Sequence, residues 1–161
     1  KTHEIGLRTS NLEDFSLIYK KQKRPNQFIR YRLLFASASY QERMDQNLFR
    51  GNIGIAIGKE NRKNISERFQ FLHGFEPAIS ISSFNQTSNN AFNLNLNLGY
   101  VIGFQYEFAE HFYFNVETIP RLSLAFTFRE NNIEDAFSAN AQLNSTVLTV
   151  GLIHQFQTLK K

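Results

Sequence analysis

The sequence has no cysteine and no tryptophan, and only three of its 161 residues are proline. Without cysteine, the chain has no disulfide framework and no thiolate chemistry. No apolar run approaches the ~20 residues of a membrane-spanning helix, and the mean hydropathy is negative. Because the chain opens with Lys-Thr-His-Glu, we expect a mature form whose export signal has been removed. The composition argues against a helical membrane protein.

The most informative stretch is residues 92–108, in which every even position is apolar or aromatic. The odd positions are polar or glycine, except Val101. Strict alternation with a period of two predicts a β-strand with one apolar and one polar face. The strand would be about three times as long as is usual in soluble proteins. A long strand with aromatic residues at both ends of its apolar face is typical of a transmembrane β-barrel.

The same alternation recurs and predicts eight strands in a single domain, residues 1–161. We place the strands near residues 3–9, 14–22, 26–40, 48–60, 65–84, 92–109, 111–130 and 143–157. Tight connections near 22–25, 61–64 and 109–111 alternate with longer ones near 41–47, 85–91 and 131–142. We therefore predict an all-β fold, a closed antiparallel up-and-down transmembrane β-barrel. An even number of strands predicts that both termini lie in the periplasm.

The end of the chain supports this interpretation. Thr149, Gly151, His154 and Phe156 follow the pattern of the C-terminal assembly signal of outer-membrane barrels, with His154 at a place that is usually hydrophobic. Together with its strands and loops, the whole chain resembles the small eight-stranded outer-membrane barrels of the OmpA and OmpX type. The resemblance implies a location in the outer membrane of a Gram-negative bacterium.

A soluble barrel of the lipocalin kind, with its apolar face inward, is the alternative. Nearly every predicted strand has a bulky apolar face, and the 17 phenylalanines exceed what an eight-stranded interior holds. Glycine and asparagine occupy the opposite faces, as a crowded interior prefers. The membrane barrel, with its apolar face outward, is therefore favoured.

Charged residues on the polar faces predict an interior network of ion pairs. Its members are Arg30, Arg32, Glu76, Glu117 and Arg121, with Glu117 near the level of Arg32 and Glu76 near that of Arg121. Pairing is expected because an isolated buried charge costs several kcal/mol. An eight-stranded barrel is only wide enough for its own side chains, which argues against an open pore. All eight lysines are expected at the termini or near the periplasmic turns.

No arrangement of residues indicates catalysis, a metal or a cofactor. None of the histidines, His3, His73, His111 and His154, has a serine two residues away, as an acyl hydrolase of this shape would. The sequence pI of about 9.4 is in the range of proteins that bind nucleic acids. However, the densest basic run, residues 20–24, straddles a predicted turn, where solvated charge is the ordinary explanation. The open alternative is a periplasmic basic surface, formed with residues 62–63, for an acidic partner or phosphate-bearing headgroups.

Two prolines interrupt the predicted strands. Pro77 and Pro120 lie mid-strand on the lipid-facing parity, where each removes a donor from the ladder. Each position predicts a local bulge or, alternatively, a lateral opening or docking surface. With the polar residue Thr118, the two prolines define a candidate partner-facing surface.

We therefore predict a non-enzymatic outer-membrane barrel with a structural or interaction role, as an accessory subunit of a larger assembly. Its expected partners are outer-membrane lipid and a larger outer-membrane barrel or complex, with no nucleic acid and no cofactor. A narrow channel or transporter for a small solute is the second hypothesis, and a lipid-modifying enzyme is the third. The longest predicted loop, 131–142, is the candidate external contact. Its region includes Glu130, Glu134, Asp135 and Phe137.

Overall fold

The computed structural model describes residues 1–9, 15–43, 46–86, 89–131, 135–144 and 148–157. Its strands are β1 (Thr2–Thr9), β2 (Phe15–Arg24), β3 (Gln27–Arg43), β4 (Gln46–Asn64), β5 (Phe69–Gln86), β6 (Asn89–Ala109), β7 (Phe112–Thr118), β8 (Arg121–Asn131), β9 (Asp135–Asn144) and β10 (Thr149–Gln157). Among these residues, no helix is long and apolar enough to cross a membrane.

The strands close into an antiparallel barrel, which confirms the predicted fold. Strands β1 to β6 pair in chain order, and β6 then pairs with both β7 and β8. Strand β8 pairs with β9, and β10 pairs with both β7 and β1. Since β7 and β8 are two parts of one wall strand, and β9 and β10 are two parts of the next, the wall has eight strands.

One end of the barrel carries both ends of the described chain and its tight turns, and is called the terminal end. The turn between β2 and β3 is Pro25–Asn26, in which Asn26 has a φ of 58°. His111 has a φ of 67° in the turn between β6 and β7. Proline fixes φ for the first central position of such a turn, and asparagine tolerates a left-handed second position. The opposite end is called the far end.

The predicted long loop at 131–142 is wrong, because residues 135–144 form β9, paired with β8 along its whole length. Strands also extend into the predicted connections 41–47 and 85–91. Alternation does not reveal β9 because its outward positions include Ala139 and Ala141, which contrast weakly with the polar inward ones. Glu134 lies outside the described residues, and so do the side chains of Glu130, Asp135 and Phe137.

The barrel turns its apolar face outward. On β6, Leu98 and Phe104 are exposed, whereas Val101 and Gln105 are fully buried inside. The buried interior combines a few aliphatic side chains with many charged ones. This arrangement is the reverse of a soluble barrel, in which apolar side chains fill the interior.

Glycines on the inner faces bring neighbouring strands and side chains close together. A Cβ at Gly58 would lie 2.9 Å from Cγ of Arg30, and one at Gly103 would lie 2.6 Å from Cγ of Glu117. A Cβ at Gly74 would overlap the backbone carbonyl oxygen of Lys59. Glycine therefore makes room both for the interior side chains and for the pairing of β4 with β5.

We expect Gly74→Ala to lower the free energy of unfolding by about 1–3 kcal/mol, because the added methyl group collides with backbone that cannot rotate away. Gly51→Ala is the matched control, since a Cβ there would first meet the side chain of Phe49 at 3.3 Å. Equilibrium unfolding of the reconstituted barrels, followed by circular dichroism, measures the difference. Equal stability of the two variants would contradict this account of the β4–β5 contact.

Candidate functional site

The terminal half of the barrel is filled by buried polar side chains, which together are called the plug. Alternation places them inside, since each lies on the inward parity of its strand. Their exposure is 7% or less. The plug consists of Glu4, Arg8, Lys20, Arg30, Arg32, Glu60, Arg62, Glu76, Gln105, Asn115 and Glu117.

Arg30 on β3 is the centre of the plug, because its guanidinium reaches three carboxylates on three other strands. Its Nη1 lies 3.0 Å from Oε2 of Glu60, and its Nε lies 2.8 Å from Oε2 of Glu76. Its Nη2 donates to Oε2 of Glu117 at 2.8 Å. The planar guanidinium presents five donors in fixed directions, which suits it to bridging several carboxylates. Arg30 thus ties β3 to β4, β5 and β7.

Arg62 on β4 closes the plug toward the terminal end. It donates from Nη1 and Nη2 to the two carboxylate oxygens of Glu4, each at 2.7 Å, a bidentate pairing. Its Nε donates to Oε1 of Glu60 at 2.8 Å. The guanidinium carbon lies 3.7 Å from the centre of the Phe28 ring, within the range of a cation–π contact. This group fixes β1 to β4 across the interior.

Further contacts complete the network. Lys20 Nζ lies 2.8 Å from Oε2 of Glu60, and Arg8 Nη2 lies 3.0 Å from Oε2 of Glu117. Arg8 also donates to the hydroxyl of Thr149 on β10. Since the partners lie on β1, β2, β4, β7 and β10, the contacts reach strands that are not neighbours in the wall. The plug therefore blocks the interior and cross-links the wall.

The structure brings together four of the five residues predicted for the network but pairs them differently. Glu76 contacts Arg30 and Arg32, and Glu117 contacts Arg30 rather than Arg32. Arg121 lines a cavity on the far side of the plug, and among the described residues no carboxylate lies within ion-pair distance of it. The expected level of Glu76 with Arg121 is confirmed, since both residues lie beside Gly99 on β6, although Glu76 forms its ion pairs with Arg30 and Arg32. Glu117 pairs with Arg30 and not with Arg32, because strand shear shifts the heights of residues in a closed barrel.

Five charged members of the plug are missing from the predicted network, namely Glu4, Arg8, Lys20, Glu60 and Arg62. The predicted fourth strand ends at residue 60, whereas β4 continues to Asn64. Glu60 and Arg62 therefore lie on the inward face of β4 near its end, and both are buried. Lys20 is expected in a solvated turn, but it is fully buried within β2. The expectation that all eight lysines lie at the termini or near solvated turns is therefore wrong for Lys20. The proposed basic surface of residues 20–24 and 62–63 likewise loses Lys20 and Arg62 to the interior.

The C-terminal assembly residues lie on the last wall strand, β10. Thr149 and Gly151 face inward beside Arg8, whose Cγ would lie 2.9 Å from a Cβ at Gly151. Phe156 is outward, and the ring of His154 lies 4.8 Å from that of Phe112. The small inward residues thus leave space for the plug, and their role as an assembly signal stays a prediction.

The two mid-strand prolines flank β6 on the outer surface. Pro77 lies opposite Leu98, and the pairing of β4 with β5 stops at Ala78 and resumes at Phe75 in the same register. On the other side of β6, Tyr100 N–H donates to the carbonyl oxygen of Pro120 at 3.0 Å. Both prolines interrupt the ladder without a bulge, because the register is the same before and after each one.

The histidines lie on the outer surface or in a turn rather than in the plug. Nδ1 of His3 lies 2.6 Å from the hydroxyl oxygen of Tyr19, and its ring stacks on Phe156 at 5.5 Å. Nδ1 of His73 lies 3.3 Å from the hydroxyl oxygen of Tyr100. Histidine has an apolar ring and a polar tip, so these contacts suit a membrane interface. In the part of the chain that the structure describes, no cluster of possible metal ligands occurs.

The fold and the plug define a small closed barrel of the outer-membrane type whose terminal half is filled with side chains. The fold is similar to that of a major outer membrane protein from Thermus thermophilus, with a TM-score of 0.58 and 9% identity. The similarity covers 96% of this chain and 99% of that chain. The likeness shows the fold alone and confirms the resemblance to outer-membrane barrels at that level.

Two other solved structures are similar in outline. The attachment invasion locus protein Ail of Yersinia pestis has a TM-score of 0.44 and 10% sequence identity to this chain. Neisserial surface protein A has a TM-score of 0.46 and 12% sequence identity. Each similarity covers 96% of this chain and 94% of the other. No protein-family model matches this chain, and no curated protein sequence matches it.

We expect Glu60→Gln to lower the free energy of unfolding by about 3–5 kcal/mol, because a buried ion cluster loses one partner. Glu60 is fully buried and contacts Lys20, Arg30 and Arg62. The matched control is Glu67→Gln in the exposed turn 65–68, which we expect to change the stability by less than about 0.5 kcal/mol. Guanidinium unfolding followed by circular dichroism provides the comparison. A Glu60→Gln barrel as stable as the control would show that the plug does not stabilise the wall.

Proposed function

We propose that this protein is a non-enzymatic integral β-barrel of the outer membrane of a Gram-negative bacterium, with both termini in the periplasm. Its role is structural or interactive, as an accessory subunit of a larger outer-membrane assembly. The plug is the observation that carries this proposal, since paired charges that fill the terminal half of the interior argue against passage through the barrel and favour a role at its outer side.

The outer surface supports a membrane location. Aromatic side chains are exposed near the terminal end, among them Tyr31 and Phe104, and others near the far end, among them Phe92 and Phe128. Aliphatic side chains such as Leu98 are exposed between the two groups. Aromatic belts on both sides of an aliphatic band are the pattern of a barrel in a bilayer.

The plug argues against a transport role. Its side chains join strands on opposite sides of the interior at hydrogen-bond distances, and moving any one of them would leave a buried charge unpaired. The positions of the histidines support a non-enzymatic role, because hydrolysis of an acyl ester needs a base beside a nucleophile. The described contacts of His3 and His73 are with tyrosine hydroxyls and aromatic rings.

A contact with a larger protein finds its best support where the prolines flank β6. Pro77 is exposed and Leu98 beside it is 51% exposed, so this surface is apolar and accessible from outside the barrel. The interrupted ladder beside Pro77 leaves backbone groups of β4 without their regular partners in β5. A protein neighbour satisfies such groups better than lipid does.

For the wild-type barrel in planar bilayers we expect no steady conductance, because the plug closes the terminal half. An eight-stranded interior has no second route around these side chains. The measurement is the current at increasing voltage, with a detergent-only addition as the control. Stable single-channel steps would favour the channel hypothesis over the proposed role.

A photo-crosslinking residue in place of Leu98 tests the accessory role. We expect an adduct with a larger outer-membrane protein in native membranes, and a matching complex by native mass spectrometry after mild extraction. The control is the same replacement at Leu152, which is 50% exposed on β10, on another part of the wall. Lipid adducts alone at both positions, with an 18.7 kDa monomer in the mass spectrum, would contradict an accessory subunit.

A further inference from the structure

The far half of the interior contains a cavity of about 340 Å³. Its volume falls in the range of small-molecule sites, ~300–1,000 Å³. Its polar lining consists largely of amides and hydroxyls, which both donate and accept hydrogen bonds. They include Asn52, Ser80, Asn95, Asn97, Asn140 and Gln142.

The cavity has one cationic wall residue, Arg121. In the described part of the chain, no carboxylate pairs with Arg121, whereas the arginines of the plug all contact glutamates. The nearby guanidinium of Arg32, at the far side of the plug, repels that of Arg121. The plug adds no compensating negative charge, since it contains five cations (Arg8, Lys20, Arg30, Arg32, Arg62) and four carboxylates (Glu4, Glu60, Glu76, Glu117). The cavity is therefore electropositive and suited to an anion.

The wall beside the cavity is incomplete. Strands β1 and β2 have 8 and 10 residues, whereas β3 to β6 have 17 to 21. Strand β2 pairs with β3 only as far as Leu17↔Leu33, and β1 pairs with β10 only as far as Thr9↔Val150. Farther along, β3 pairs only with β4 and β9 only with β8 among the described strands, so each has one unpaired edge. Residues 138–143 of β9 are exposed on both faces. Among the described residues, a gap thus separates the far parts of β3 and β9.

The gap has a physical consequence in a bilayer. A membrane-spanning strand needs about 9–11 residues. Strand β1, with 8 residues, falls short of that length and β2, with 10, only reaches it, whereas the long strands continue well past both. The outer faces of those long parts still expose Ile53, Leu96 and Phe128. Open sheet edges are unfavourable in hydrocarbon, because each unpaired backbone group there costs several kcal/mol. A polar group seated at the gap would relieve that cost.

We propose that the far-half cavity binds an anionic, hydroxyl-rich headgroup of the sugar-phosphate class. Arg121 binds the phosphate as a fork of donors, and the amides of Asn95, Asn97 and Gln142 bind the hydroxyl groups. The gap between β3 and β9 admits the ligand from the side. The shared chemistry fits either the headgroup of a phosphorylated glycolipid in the outer leaflet or a free sugar phosphate.

The test uses the full chain in lipid nanodiscs with two probes. Glucose 1-phosphate, compared with glucose, represents the free ligand and is followed by calorimetry. Lipid A in the nanodisc, compared with phosphatidylcholine alone, represents the glycolipid and is followed by native mass spectrometry. We expect saturable binding of at least one phosphorylated probe and no binding of glucose.

Arg121→Gln should weaken that binding by about 10- to 100-fold, since a charge-assisted pairing is lost. The matched control is Arg68→Gln, which removes the same charge from the exposed turn at the terminal end. Asn95→Leu is a second variant that blocks the cavity without changing its charge, and we expect it to weaken binding as well. The heat-dependent shift of the folded band in gel electrophoresis verifies that each variant is folded.

Each outcome decides the proposal. Arg121-dependent binding of lipid A only identifies the membrane as the source, and Arg121-dependent binding of glucose 1-phosphate identifies a free ligand. Absence of binding to both probes, or equal binding by wild type and Arg121→Gln, overturns the site. Cross-linking of a partner protein's strand along β9 would overturn the gap as the ligand's entrance.

Discussion

The contact of Arg30 with three carboxylates is the interaction on which the rest of the barrel depends. Glu60, Glu76 and Glu117 would repel one another in a small interior without a cation between them. Because each partner lies on a different strand, the ion pairs hold the register of the wall as well as its shape. A slip of one residue in β3 would turn Arg30 outward into the apolar band, where it would find no partner.

The plug divides the interior into two halves with different properties. The terminal half is closed by charges that contact one another, whereas the far half keeps an open cavity lined by Arg121. The short β1–β2 hairpin produces the same division in the wall, since it covers only the terminal half. Both features favour binding from the outer side over passage through the barrel.

Much of the fold was predictable from alternation, and the failures have specific causes. Residues 92–108 identified β6 because aliphatic and aromatic residues alternate with asparagine and glycine. The same rule failed at β9, where outward alanines and inward Ser138, Asn140 and Gln142 differ little in hydropathy. Within the plug, alternation correctly predicted that Arg30, Arg32, Glu76 and Glu117 face the interior. The burial of Lys20 was not predictable, because a basic run beside Pro25 looks the same whether its first lysine is solvated or buried.

For the strands with clear alternation, the sequence by itself determined which face turns to lipid and which turns inward. Side-chain direction in a strand is a local property of the backbone, so a period of two is enough to assign it. Only the tertiary structure decided that Glu117 meets Arg30 rather than Arg32, and that Arg121 lines the cavity instead of joining the plug. These contacts depend on the shear of the closed sheet, which is a property of all eight wall strands together.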